Sequence, residues 1–374
     1  MKIAMIGHKR IPSREGGVEI VVEELATRLV QRGHKVEIYN RKGHHVSGTE
    51  YDQNKTTKEK YYKGIRVITI PTFENSSLNA IVYTVLASLR ALFGHYDVIH
   101  YHAEGPCSLC WLPHLFHIRV IATIHGLDWQ RSKWGGFATK FLKFGERMAA
   151  KYADEVIVLS PAVQQYFRDT YQRKTIYIPN GITIPKVQGA RNIQQKYGLQ
   201  KDEYLLFLAR IVPEKGLHYL LEAYKQLDTD KKLVIAGGSS HTDEYLKTIQ
   251  ELASKDSRVI LTGFVQGREL EELYSNAYLY ILPSDIEGMP MSLLEAMSYG
   301  NACLVSDIPE NVNVTGEAAF TFQKGNVSDL LTQLKKLIAN PEKVISMKKK
   351  ACDAVCSRFD WEDIVTRTEE VYRG

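Results

Sequence analysis

The stretch Asp285-Ile-Glu-Gly-Met-Pro-Met-Ser-Leu-Leu-Glu-Ala-Met-Ser-Tyr-Gly300 decides how the chain is read. Just before it, Ala277-Tyr-Leu-Tyr-Ile-Leu282 is an apolar run of strand-forming residues, and Pro283-Ser284 ends it. Pro290 suits the first position of a helix, where a missing N–H costs nothing. Leu293, Leu294, Ala296 and Met297 continue that helix, and Gly300 suits the residue just past its last turn. The stretch is a strand, a loop and a helix. The N–H groups of the loop and first turn, from Gly288 to Met291, form a site for an anion. Glu287 and Glu295 bracket it. A carboxylate there repels a phosphate but accepts strongly from the vicinal hydroxyls of a sugar or ribose. Without more context the two Glu are equally ordinary as a loop charge and a helix-surface charge.

At 374 residues the chain exceeds what one hydrophobic core organises, so two domains are expected. No apolar run reaches the ~18–20 residues that span a bilayer. The apolar start after Met1-Lys2 is too short for a signal peptide, which predicts a cytoplasmic protein. Net charge is +5 but uneven: residues 1–180 hold 25 Lys+Arg against 16 Asp+Glu, and the remainder is net acidic. That asymmetry argues against a uniform nucleic-acid surface. It fits a basic half facing an anionic partner such as a membrane leaflet or a lipid phosphate. Five Cys, an odd number, imply reduced thiols rather than a disulfide framework. Cys107, Cys110, His114 and His117 have a zinc-like spacing, but four ligands on one short helix cannot converge tetrahedrally. The cysteines read as small buried apolar residues.

The N-terminal block alternates: a strand over Lys2–Gly7, a loop from His8 to Gly17, a helix from Val18 to Arg32 and a strand over Lys35–Tyr39. This is a βαβ unit. Its loop lacks Gly-x-Gly-x-x-Gly, which disfavours a dehydrogenase. Gly16 and Gly17 would let backbone approach a ligand closely, or simply make a tight turn. His44–Tyr62 is polar and reads as a loop, and Leu78–Phe93 as an apolar helix that is either a buried crossover or a membrane-docking face. Strands at Asp97–His102 and Val120–Ile124 deliver polar residues at their C-terminal ends, where open α/β sheets bind ligands. His125, Asp128, Trp129, Arg131 and Trp134 then suggest a polar pocket with aromatic platforms for sugar rings. The segment 136–152 is a basic amphipathic helix, suited to anionic lipid or to packing on its own domain. After a linker, Tyr204–Leu208 leads into a loop holding Arg210 and Lys215. Two such cations can clamp a diphosphate or merely face solvent.

Together, Glu287-x7-Glu295 with Leu-Leu-Glu-Ala-Met, Arg210-x4-Lys215-Gly and the Gly16-Gly17 loop resemble glycosyltransferase family 4 over nearly the whole chain. Where the family usually reads Phe-Gly-Leu-Pro, this chain reads Met-Pro-Met, with the Glu-to-Glu count retained. The run His125-Gly-Leu-Asp-Trp-Gln-Arg131 is similar to a bacterial surface-polysaccharide branch. The resemblance implies an α/β chain of the GT-B fold, two Rossmann-like doubly wound domains facing a cleft. Residues 1–182 would be the acceptor domain, 190–358 the donor domain, and 359–374 a helix crossing back to the first. It implies a retaining transferase taking a nucleotide-diphosphate sugar as co-substrate and a saccharide or lipid-linked saccharide as acceptor. No cofactor and no metal are implied, no nucleic acid, and a peripheral contact with the inner membrane leaflet. Carried over residue by residue, His125, Arg210, Lys215 and Glu287 are the catalytic candidates. Gly16, Gly17, Val265, Gly288, Met289, Met291, Leu294 and Glu295 are the donor-binding ones, and Asp128, Trp129 and Arg131 the acceptor-side ones. A non-catalytic scaffold subunit, a sugar-nucleotide epimerase and a phosphorylase on the same fold are the rivals.

Overall fold

The computed structural model describes residues 1–14, 16–42, 61–72, 76–130, 135–238 and 243–374, with only the backbone of 76–78 and 243. The basic stretch from His44 to Lys60, and Arg131 and Trp134, lie outside these residues. The chain forms two compact units, Met1–Gly181 with Trp361–Gly374, and Ile182–Asp360. Ile182 and Phe359 both fall in the second unit, where the Ile182 N–H donates to the Phe359 carbonyl at 2.7 Å. The sequence boundaries at 182 and 359 therefore move by one or two residues, because this backbone pairing ties both ends of the second unit together.

In the first unit the strands are β1 (Lys2–Ile6), β2 (Lys35–Arg41), β3 (Tyr61–Tyr62), β4 (Ile65–Ile70), β5 (Val98–His102), β6 (Arg119–Ile124), β7 (Glu155–Val158) and β8 (Ile176–Tyr177). They lie in the order β3-β4-β2-β1-β5-β6-β7-β8, parallel throughout except for the antiparallel pair β3/β4. Tyr61 and Tyr62, read from sequence as loop, thus form an edge strand, since Tyr on an exposed edge can pair with a neighbour that is already ordered. Both faces of the central strands are covered, which is why Ile3–Ile6 and Val98–Tyr101 are buried without alternation. In the second unit the strands are β9 (Tyr204–Leu208), β10 (Lys232–Ala236), β11 (Val259–Gly263), β12 (Leu279–Leu282), β13 (Cys303–Ser306) and β14 (Phe320–Phe322). Their order is β11-β10-β9-β12-β13-β14, all parallel.

Both sheets reverse winding direction once, between β1 and β5 in the first and between β9 and β12 in the second. Crevices for ligands open at such points, beyond the strands' carboxyl ends. The Cys107 and Cys110 thiols are fully buried. The apolar helix Ser76–Leu92 buries Tyr83, Ala87, Ser88 and Ala91 on one face. Val85, Leu86 and Leu89 on its other face, and Phe93 just beyond its end, are exposed. Among the described residues no helix is long and apolar enough to cross a membrane.

The last helix, Trp361–Arg373, packs on Gly17–Gln31 within the first unit. Arg32 donates to Glu362 Oε2 and to Glu369 Oε2, each at 2.6 Å, and His34 Nε2 lies 2.5 Å from Glu369 Oε1. Gly145, in helix Gly136–Tyr152, meets the short helix Glu104–Cys107 so closely that a Cβ there would lie 1.9 Å from the Glu104 carbonyl oxygen. Gly145→Ala is expected to destabilise the protein by about 1–3 kcal/mol through overpacking, read as a lower midpoint in denaturant unfolding. An unchanged midpoint would show that this helix pair separates without cost.

Candidate active site

In the second unit the loops after β9 and β12 meet at the winding reversal. Gly216 is what lets them meet. Its φ is +65°, and a Cβ would lie 2.0 Å from the Pro283 carbonyl oxygen, so only glycine fits. The Asp285 N–H donates to the Glu214 carbonyl at 2.9 Å, a second tie between the loops. Lys215 and Glu287, 72 positions apart, thereby come into contact: Lys215 Nζ donates to Glu287 Oε1 at 2.5 Å. Ser284 Oγ donates to the same oxygen at 2.6 Å. Ser284 is held in turn by Ser306 Oγ, which donates to its carbonyl. The pair is nearly buried, and burial of the nearby Glu310, with Glu287's charge beside it, raises that carboxyl above its ordinary range. Arg210 leaves the same β9 loop, half-buried, where the Ile211 N–H is tied to the Gly238 carbonyl at 2.9 Å.

The helix after this loop is Met291–Ser298. Pro290 sits at its cap rather than at its first position. Its backbone is extended, with ψ 98°, and its carbonyl accepts the first helical bonds from Leu293 and Leu294. At the other end Gly300, φ +77°, and Asn301 donate to the carbonyls of Met297 and Ala296, which closes the last turn. Leu294, placed among the donor contacts from sequence, is wholly buried and its N–H goes to Pro290, so its side chain packs the helix onto the sheet. Met289, Met291 and Val265 are also largely buried. What they can offer a ligand is backbone. Glu295 is half-buried one turn further on, and the Tyr274 hydroxyl donates to its Oε2 at 3.2 Å. Tyr274 is itself stacked on Tyr299. Tyr274 and Ser284 were not found from sequence. Each is an ordinary strand-flanking or helix residue whose role exists only through the group it touches.

In the first unit, β1, β5 and β6 deliver His8, His102 and His125 to the same carboxyl edge. His102 Nδ1 and His125 Nε2 are hydrogen-bonded at 3.1 Å. The His100 and His102 rings lie 4.0 Å apart, and His100 bonds the Thr123 and Tyr372 hydroxyls at 2.7 Å. Burial lowers His8 to about 4, His100 to about 3 and His102 well below the usual value, so all three are neutral at pH 7. His102 is thus a neutral partner that orients His125. It stands in the strand end that sequence singles out, but only packing reveals its partner. Gly16 is partly exposed and Gly17 exposed, Gly17 being the first residue of its helix.

Asp128 and Trp129 follow His125 on a single 3-10 turn, Asp128–Gln130. The Asp128 N–H donates to Glu104 Oε1 at 3.2 Å, and Trp129 Nε1 to Glu146 Oε1 at 2.7 Å. The other Glu146 oxygen accepts from the hydroxyls of Tyr166 and Tyr171 at 2.9 and 2.8 Å. Lys143 Nζ sits over the Trp129 ring at 4.0 Å from its centroid. The platform expected for a sugar is therefore pinned by its edge and covered by a cation. Arg131, the remaining acceptor candidate, lies outside the described residues. Among those residues no cluster of three His, Cys, Asp or Glu could hold a metal ion.

Two family models match the chain: Glycosyltransferase Family 4 over residues 15–184, and Glycosyl transferases group 1 over residues 190–353. The chain belongs to the GT-B glycosyltransferases. It is 25 % identical over 397 residues to an uncharacterised glycosyltransferase of Methanocaldococcus jannaschii, covering 100 % of this chain and 98 % of that one. It is 24 % identical to the GDP-mannose-dependent alpha-(1-6)-phosphatidylinositol monomannoside mannosyltransferase of Mycolicibacterium smegmatis, covering 97 % and 96 %. The solved sucrose-phosphate synthase of Thermosynechococcus elongatus superposes with a TM-score of 0.84 at 21 % identity, covering 100 % and 98 %; at that identity it shows the shared fold alone.

The enzyme's Glu104 carboxyl is wholly buried beside Glu146, and burial first, then that neighbour, pushes its pKa well up. In the unfolded chain the same carboxyl ionises near 4.5. The unfolded state therefore loses its proton first, and stability falls as pH rises above that value, by up to about 1.4 kcal/mol per pH unit. Glu104→Gln keeps an acceptor for the Asp128 N–H without this cost. Its melting temperature should match wild type near pH 4.5 and exceed it increasingly toward pH 8. A pH-independent difference would show that Glu104 is ionised in the fold.

Proposed function

We propose that the enzyme transfers a sugar, with retention, from a nucleotide-diphosphate sugar to a hydroxyl of a lipid-linked saccharide in polysaccharide synthesis. The observation that carries this is the contact of Lys215, Glu287 and Ser284 where two loops meet at a winding reversal. In the reaction the bond from the anomeric carbon to the diphosphate oxygen breaks and the acceptor oxygen bonds that carbon from the same face. The acceptor proton goes to the departing phosphate. Lys215, Arg210 and the N–H groups around Met289 to Met291 would take up the charge developing on the diphosphate. Lys215 would exchange part of its bond to Glu287 for a phosphate oxygen, freeing Glu287 to accept from sugar hydroxyls. Glu295, which also accepts from the Tyr274 hydroxyl, would accept from the ribose diol. In the first unit His125, oriented by His102, would bond a saccharide hydroxyl. Cations and backbone N–H groups do this work without a metal.

The lipid-linked acceptor is supported by the phosphatidylinositol mannoside substrate in the mycobacterial relative's name, and by the basic N-terminal half. The same charge supports contact with an anionic leaflet. Exposed Phe137 and Phe144 beside Lys140, Lys143 and Arg147 on helix Gly136–Tyr152 would serve such a contact.

A ligand that binds only the folded state raises its melting temperature. Of UDP-, GDP-, dTDP- and CMP-sugars, one nucleotide class should stabilise wild type. Glu295→Ala should bind it about 10–100-fold more weakly, the loss of a charged hydrogen bond of about 1.5–3 kcal/mol. If no nucleotide shifts the melting temperature, a non-catalytic scaffold subunit becomes the better account. Turnover should survive EDTA, and strict dependence on added Mg²⁺ or Mn²⁺ would overturn the metal-free chemistry.

A further inference from the structure

Arg41 ends β2, next to the β1–β5 reversal of the first unit. Its backbone N–H donates to the Lys9 carbonyl at 2.8 Å, which sets the β2 end against the loop that follows β1. Asn40 stitches the same loop. Its Oδ1 accepts from the Ile11 N–H at 3.0 Å and lies 3.0 Å from His8 Nε2, and its Nδ2 donates to the Ile11 carbonyl at 2.8 Å. These ties turn the Arg41 side chain in under Gly7, where its guanidinium lies over the Tyr83 ring at 4.7 Å from the centroid.

The guanidinium is poorly satisfied there. It has five N–H donors, and among the described residues it makes one weak hydrogen bond, from Nη2 to the Gly7 carbonyl at 3.4 Å. Its Nε is sealed from solvent with no acceptor. The buried carboxylate of Glu19 takes the Lys9 N–H instead, at 2.9 Å. Beside it His8 is neutral and keeps a buried Nδ1 without a partner. Burial works against the Arg41 charge, with Glu19 only partly offsetting it. A largely buried cation with an unfilled donor is costly, and a bound ion is one way to compensate it. Tyr83 cannot be that anion, because burial raises its phenol to about 12.

We infer that Arg41 is the receptor for an oxyanion carried by the acceptor, a phosphate ester or a sugar carboxylate, held by the planar fork of its guanidinium. That geometry matches either oxyanion in bidentate fashion, which a Lys would not. The inference deepens the proposed transfer reaction, since it takes the carboxyl edge of this unit as the acceptor's side.

The test uses the full chain in an Arg210→Ala/Lys215→Ala background, so that free anions have no diphosphate clamp to occupy. Melting temperature is read in sodium phosphate, sodium acetate and sodium chloride at matched ionic strength, with Arg41, Arg41→Lys and Arg41→Met. Phosphate or acetate should raise the midpoint above its value in chloride, less with Arg41→Lys and not at all with Arg41→Met. A shift with phosphate assigns a phosphate ester, and one with acetate alone a carboxylate. In chloride, Arg41→Met should melt no lower than the parent, because it removes a buried charge that Glu19 only partly offsets. A lower melting point there would make Arg41 a structural cation bound to Tyr83. An anion shift that survives Arg41→Met, or none in any salt, would overturn the site. Nucleotide-sugar binding in the otherwise wild-type chain is independent of Arg41, so its absence would count against the transferase reading alone.

Discussion

A parallel sheet that winds first one way and then the other leaves a gap over the carboxyl ends of its two innermost strands, because their following helices depart to opposite sides. Each unit of this protein has one such gap, and nearly every polar residue of interest stands on a loop beside it. The strands have little freedom to carry chemistry except near their carboxyl ends, where β2 places Arg41 and β5 places His100 and His102. Buried on both faces, they must be apolar almost throughout. Function is therefore pressed out to the loops after β9 and β12 in one unit and after β1, β2, β5 and β6 in the other.

Loops so placed need support, and here it comes from buried polar side chains that touch no expected ligand. Glu146 gathers Trp129, Tyr166 and Tyr171 on its two oxygens and so fixes the turn after His125. Tyr372 of the final helix bonds His100, whose ring lies against His102, which in turn bonds His125. The last residues of the chain thereby reach the candidate centre through three histidines. In the second unit Ser306, Ser284, Glu287 and Lys215 form a comparable line. Apart from His102 Nε2, which is buried without a partner, the groups in these lines bond their neighbours, and that rigidifies the site.

Much of this was readable beforehand, and the reasons are local. The strands Ile65–Ile70, Tyr204–Leu208 and Lys232–Ala236 coincide with their apolar runs, and the helix Gly136–Tyr152 with its periodic one. Gly300 ends its helix as a residue with positive φ must. Misplacements came where local preference had competition. Pro290 favours a first helical position, but its extended backbone makes it the cap. Leu294 lies beside the site in sequence and faces the core in space. Trp129 suggests an open aromatic platform, yet its edge and one face are already taken.

Residue order by itself determined the alternation of strand and helix, the two-domain division, and the motifs Arg210-x4-Lys215 and Glu287-x7-Glu295. Each depends on spacing along one segment, and spacing is what a sequence displays. The pairings were decided only by tertiary structure: Lys215 with Glu287, His102 with His125, Tyr274 with Glu295, and Arg41 with the Gly7 carbonyl. Those depend on which strands lie side by side. That order follows from how two sheets bury their apolar faces, a property of the whole chain that no single segment carries.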